Sequence, residues 1–193
     1  MPKVETFNRE QVLDQATNVF HNKGYNATSM QDLVDVTGLN RSSIYNSFGS
    51  KLDIFFECLK LYQELSKEAF SKIIKDSKCP MQAIESIFEL YLNEITKDKE
   101  NKGCLISNCT AEMGNQKQSI ATFLSANQDG FIAILEELIK SAQDKGSINT
   151  TKTSKDYALY LFSALQGFRM TGILINDKTQ LRSIVDTTLQ NLK

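Results

Sequence analysis

Apolar residues Val12, Leu13, Ala16, Val19 and Phe20 recur at i, i+1, i+4, i+7 and i+8, the stripe of an amphipathic helix that stops before Lys23-Gly24. Thr28 then opens the run T-S-M-Q, a capping hydroxyl with Gln31 three residues on, and Met30, Leu33 and Val34 form the apolar face of a short second helix ending near Thr37-Gly38. Gly38 suits a tight turn, and Asn40 is the N-cap candidate of a two-turn third helix reaching about Phe48. Gly49-Ser50 breaks that helix, and Ser50 with Asp53 makes a cap pair for a long fourth one through about Ile74. Pro80 fits the first turn of a fifth helix, striped by Ile84, Ile87, Phe88, Tyr91 and Ile95. After a polar loop over 96–102, the pattern predicts a short helix over 104–113, a long one over 119–145, a broadly apolar one from 154 to about 176, and a closing helix carrying Leu181, Ile184, Val185, Thr188, Leu189 and Leu192. The expectation is an all-α fold of about nine helices.

Composition narrows the class. Hydrophobic residues make up 41% of the 193, charged residues 23%, and there are only 9 Gly and 2 Pro, which suits a helical globular protein. Nothing at the amino terminus reads as a secretory signal, no stretch is apolar enough to span a bilayer, and the four cysteines are too irregularly spaced for a disulfide framework. A cytoplasmic setting without membrane contact is therefore expected. The 22 basic and 23 acidic residues argue against coating nucleic acid through bulk charge, and within the first 56 residues only 37–51, with Arg41 and Lys51 and no acid, is locally positive. His21 is the sole histidine and is expected on the surface of the first helix. No metal site, cofactor motif or base–nucleophile pair can be assembled around it, and no Gly-rich phosphate loop is present, so an enzyme is not expected.

Helices two and three, joined at Gly38, have the lengths of a DNA-reading helix-turn-helix. The run from Ala16 to Lys51 contains an aromatic residue, Gly24-Tyr25 before Thr28, Gly38 at the turn, Tyr45 shortly before Phe48, then Ser50-Lys51. It closely resembles the amino-terminal domain of TetR/AcrR transcriptional regulators. That resemblance implies a three-helix DNA-binding domain over residues 1–50 and an effector-binding and dimerisation domain over 51–193. It implies that Arg41, Ser42 and Ser43 meet base edges of double-stranded operator DNA, while Tyr45, Asn46, Lys51 and, at the start of helix two, Thr28 and Ser29 meet the backbone. Ser42 stands where Gly is common in the family and Asn46 where His is common.

The same resemblance implies a homodimer built by the last two helices, for which the apolar stripes offer Leu161, Ala164, Leu165, Phe168, Leu181, Ile184, Val185, Thr188 and Leu189. It also implies a small-molecule effector among helices four to eight. Polar groups on apolar faces are the natural lining: Asn127 between Phe123 and Phe131, Gln166 near Phe162, and Tyr62 and Tyr91. The segment Lys102-Gly103-Cys104 through Cys109 and Glu112 resembles the electrophile-responsive subgroup, which adds Cys104 as a pocket residue in the first turn of a short helix, where unpaired amides favour a thiolate. The expected function is a repressor released by a small molecule; the alternatives are regulation without ligand control and a thiol-based electrophile sensor.

Overall fold

The computed structural model describes residues 7–193, and among them the chain forms nine helices and no strand. They are α1 (Arg9–Ala27), α2 (Met30–Thr37), α3 (Arg41–Phe48), α4 (Lys51–Asp76), α5 (Pro80–Lys97), α6 (Leu105–Met113), α7 (Gln118–Asp144), α8 (Ser154–Thr171) and α9 (Lys178–Gln190). The caps account for most boundaries. Asn40 accepts from the Ser43 amide, Ser50 and Asp53 close a reciprocal capping box, and Pro80 occupies the first turn of α5.

Two boundaries differ from the sequence expectation. The N-cap of α2 is Ser29, boxed with Asp32, because the Thr28 hydroxyl is already donated to the Gly24 carbonyl at 2.6 Å. Thr28 is thereby the end of α1, whose path bends at Gly24, a residue at φ 78°. Helix α8 ends at Thr171, five residues short of the expected end, where turns from Met170 and Thr171 take over and Gly172 lies against Ile95. A Cβ on Gly172 would stand 2.6 Å from that side chain, so only glycine permits the approach.

Two apolar cores organise the chain. The first joins Phe20 of α1, Leu33 of α2, Ile44 and Phe48 of α3, and Phe55 of α4 to Leu105, Cys109 and Met113 of α6 and the start of α7. The second packs α5, the later part of α7, α8 and α9 around Phe88, Leu135, Leu161 and Leu181. The division expected at residue 50 falls at the start of α4, yet α6 closes the amino-terminal core from the other side of that line.

Candidate functional site

Gly38, at φ 67°, turns the chain between α2 and α3, and its amide donates to the Val34 carbonyl. Ile44 and Phe48 are buried under α3, which leaves Arg41, Ser42, Tyr45 and Asn46 exposed on its outer face and Ser43 half-buried at its start. Five of the residues expected at DNA thus lie along one two-turn helix, and Ser29 is exposed at the start of α2. The Asp32 carboxylate beside Ser29 is held well below the usual carboxylate range, first by Lys23 at 2.6 Å and then by the Ser29 amide and hydroxyl.

Two residues expected at the DNA backbone have other work. Thr28 is 1% exposed, and its hydroxyl is donated to the Gly24 carbonyl. The Lys51 ammonium donates to the carbonyls of Tyr25 and Thr28 at 2.9 and 2.8 Å and lies over the Tyr25 ring, which ties α4 to the α1–α2 junction. Arg9, which no motif singles out, braces α3 from behind: it pairs with Glu57, donates to the Ser47 carbonyl and covers the Phe48 ring.

The reading unit is joined to the rest of the chain at the α1 bend. Glu112 of α6 accepts the Tyr25 amide at 2.9 Å on one carboxylate oxygen and the Asn26 amide at 2.7 Å on the other. A Cβ on Gly24 would stand 2.8 Å from that carboxylate, so the glycine clears the space as well as making the bend. His21, expected at the surface, is partly buried here instead: its Nε2 donates to the Gly103 carbonyl at 3.1 Å and its ring meets Tyr62 edge-on. Burial lowers its pKa, against the opposing effect of that hydrogen bond.

All seven residues expected to line a pocket (Tyr62, Tyr91, Cys104, Asn127, Phe131, Phe162 and Gln166) line one cavity of about 530 Å³. Phe70 and Phe131 stack at 4.9 Å, with Phe162 edge-on to Phe131. The Gln63 amide donates to Asn127 at 2.7 Å and the Ser107 hydroxyl to Gln166 at 2.6 Å, so the two polar expectations are each paired with a residue the pattern did not flag. Arg169 also lines the chamber, donating to the Tyr62 hydroxyl at 3.3 Å with its guanidinium 4.2 Å from the Tyr91 ring centre. Burial pushes both tyrosine phenols upward. A lone basic residue inside the apolar run Leu165-Gln166-Gly167-Phe168-Arg169-Met170 was the available signal for Arg169.

Cys104 departs from its expected setting. It is the N-cap of α6, outside the first turn, its sulfur accepts the Ser107 amide at 3.4 Å, and it is 2% exposed. Cys109, one helical turn further on, belongs to the amino-terminal core, and burial pushes its thiol up to about 12. The stripe expected at the dimer interface faces inward in the protomer. Leu161, Leu165, Phe168, Leu181, Val185, Thr188 and Leu189 are all buried within the protomer's own second core, with Ala164 and Ile184 partly so. The outward faces carry a different set: Tyr160, Ser163, Gly167 and Met170 along α8, Leu174 in the turn after it, and Ser183 and Thr187 on α9.

A helix-turn-helix held on a helical body with its own chamber defines a DNA-binding transcriptional regulator. Residues 12–58 match the model of bacterial regulatory proteins of the tetR family, and residues 80–188 that of the tetracyclin repressor-like C-terminal domain. The chain belongs to the TetR family of transcriptional regulators. It is 26% identical over 193 residues to the uncharacterized HTH-type transcriptional regulator YezE of Bacillus subtilis, spanning 100% of both chains. It is 27% identical over 191 residues to the HTH-type transcriptional repressor ComR of Escherichia coli, with 98% of this chain and 90% of ComR covered. In fold it is similar to a cysteine mutant of the TetR family regulator CifR complexed with double-strand operator DNA, with TM-score 0.86, 19% identity, and coverage of 99% of this chain and 100% of that one. No helix among the described residues is long and apolar enough to cross a membrane.

Proposed function

We propose that this regulator is a cytoplasmic, homodimeric repressor that leaves its operator when a small molecule occupies the chamber between α4, α5, α6, α7 and α8. One observation carries the reading: α6 lines that chamber through Cys104 and Ser107 and, five residues past Ser107, holds the DNA-reading unit through Glu112. A ligand that moves α6 moves the base of α1. Arg41, Ser42 and Ser43 meet base edges, with Tyr45, Asn46 and Ser29 on the backbone. The repressor sense is supported by the name of ComR, and the dimer by the outward α8 and α9 faces, where Ser163 and Gly167 allow close helix approach.

Mobility shifts on DNA from the chain's own upstream region test the reading. The expected result is a salt-sensitive, sequence-selective shift over a palindrome of about two helical turns, relieved by compounds that raise the protein's melting temperature. A selective shift that no stabilising compound relieves leaves a regulator without ligand control. The second reading, a thiol sensor, rests on the place of Cys104 in the chamber wall. Equal operator release by wild type and Cys104→Ser after N-ethylmaleimide rules it out.

A further inference from the structure

The charged side chains on the chamber wall are both cations, Lys67 and Arg169, and no carboxylate joins them. Lys67 is exposed and paired with Glu64 at 3.0 Å. Arg169 is different: it forms no ion pair among the described residues, and its guanidinium is desolvated against Tyr91. Its hydrogen bonding is one long donation to the Tyr62 hydroxyl at 3.3 Å, which leaves most of a guanidinium's N–H donors unused. Glu94 of α5, the acid that acts on it through space, borders a neighbouring cleft with it but makes no ion pair with it, and burial raises the Glu94 pKa, which favours its neutral form. Among the other polar side chains of the wall, Gln63 pairs with Asn127, Ser107 with Gln166, and Ser66 donates to the Tyr62 carbonyl. Arg169 is therefore the charged group of the wall that lacks an ion pair, and it shares the chamber with a slot made by Phe70, Phe131 and Phe162.

We infer that the chamber takes a carboxylate with an apolar body, the carboxylate docking on the Arg169 guanidinium where Tyr62 and Tyr91 hold it, and the body lying among Phe70, Phe131 and Phe162. This deepens the reading above and rests on it. A planar fork of donors matches a carboxylate in bidentate geometry, and a single inward cation balances one negative charge, whereas a phosphate dianion calls for a second. The chamber volume, about 530 Å³, falls in the range of small-molecule sites.

The test is calorimetric titration of the full chain with octanoate and 4-phenylbutyrate against their primary amides, which match the acids in shape and lack the charge. At least one acid is expected to bind, and at least tenfold more tightly than its amide. In Arg169→Gln the acid and the amide should become equal, while Lys67→Gln should keep the wild-type preference. Should Arg169→Gln not fold, Arg169→Lys, which keeps the charge and loses the fork, is expected to narrow the preference. Acids and amides binding alike to wild type overturn the inference, as does a preference that survives Arg169→Gln. Nile red, a neutral apolar dye, separates the two levels. Dye bound in the chamber with no acid bound removes the carboxylate and leaves the ligand site standing; no binding by acids, amides or dye removes both.

Discussion

Around Phe55 the rings of Phe20 and Tyr25 stand 4.8 and 5.0 Å away, and α6 closes the remaining side with Leu105, Cys109 and Met113. Around Phe131 the rings of Phe70 and Phe162, at 4.9 and 6.2 Å, cover only part of the side chain, and the rest faces the chamber. Both regions are aromatic and helical, yet Phe55 is sealed at 1% exposure, with only a smaller cleft alongside, while Phe131 is left open to the larger chamber. The sealed core holds α3 to a fixed surface, which base reading needs. The open one gives up packing and thereby gains room for a ligand.

The comparison breaks first on stability. Phe55→Ala should lose about 3–5 kcal/mol in chemical denaturation, whereas Phe131→Ala should lose less than about 2 kcal/mol because its ring already borders empty space. Equal losses would mean the chamber is closed in solution. Next comes the joint between the regions. Glu112→Gln leaves one carboxylate oxygen's role to an amide nitrogen that cannot accept, so a loss of about 1–2 kcal/mol and of operator affinity is expected. Ligand binding in the chamber should stay unchanged by calorimetry. Lys51→Met, which deprives the Tyr25 and Thr28 carbonyls of their donor, should cost about 1–2 kcal/mol and leave the salt dependence of DNA binding at the wild-type slope. A flattened slope would return Lys51 to the phosphate backbone.

The smallest effect is electrostatic. Glu89 of α5 pairs in a two-pronged contact with Arg182 of α9, which lowers the Glu89 pKa. A carboxylate lowered in the folded state adds stability above its unfolded value, about 4.3, and loses it as pH falls through the folded value. The pair is well exposed, so Glu89→Gln should remove under about 1 kcal/mol at neutral pH and nothing near pH 2. Denaturation at the two pH values checks the sign.

Helices were legible because their stops are chemical: Asn40, Ser50 and Pro80 can each be named as a cap before any packing is known. The lining of the chamber was legible for a related reason. Asn127 and Gln166 interrupt apolar faces, and a polar group tolerated there faces either a partner or a cavity; here each does both. The stripe expected at the dimer was found by the same logic that found the helices. The cleanest apolar period on α8 and α9 packs into the protomer's own core, and the outward face, with Tyr160, Ser163 and Gly167 at i, i+3 and i+7, keeps the helical spacing without an apolar stripe to mark it. The structural partners of Thr28 and Lys51 were not legible, because the carbonyls of Gly24, Tyr25 and Thr28 are backbone atoms gathered by the bend at Gly24, which no side-chain pattern encodes.

The two ends of α6 are fastened with unequal strength. At Cys104 the helix begins on sulfur, a weak acceptor, reaching the Ser107 amide at 3.4 Å, while near its other end an ionised carboxylate grips two amides of α1. From Ser107 to Glu112 is roughly 7.5 Å of helix at about 1.5 Å per residue. A rigid rod with a loose end and a tight one behaves as a lever: displacement is admitted where the cap is soft and delivered where the grip is firm. Replacing the thiol with a better capping group that carries no charge, as in Cys104→Ser, would stiffen the input end and damp the transmitted stroke, however well the ligand still bound.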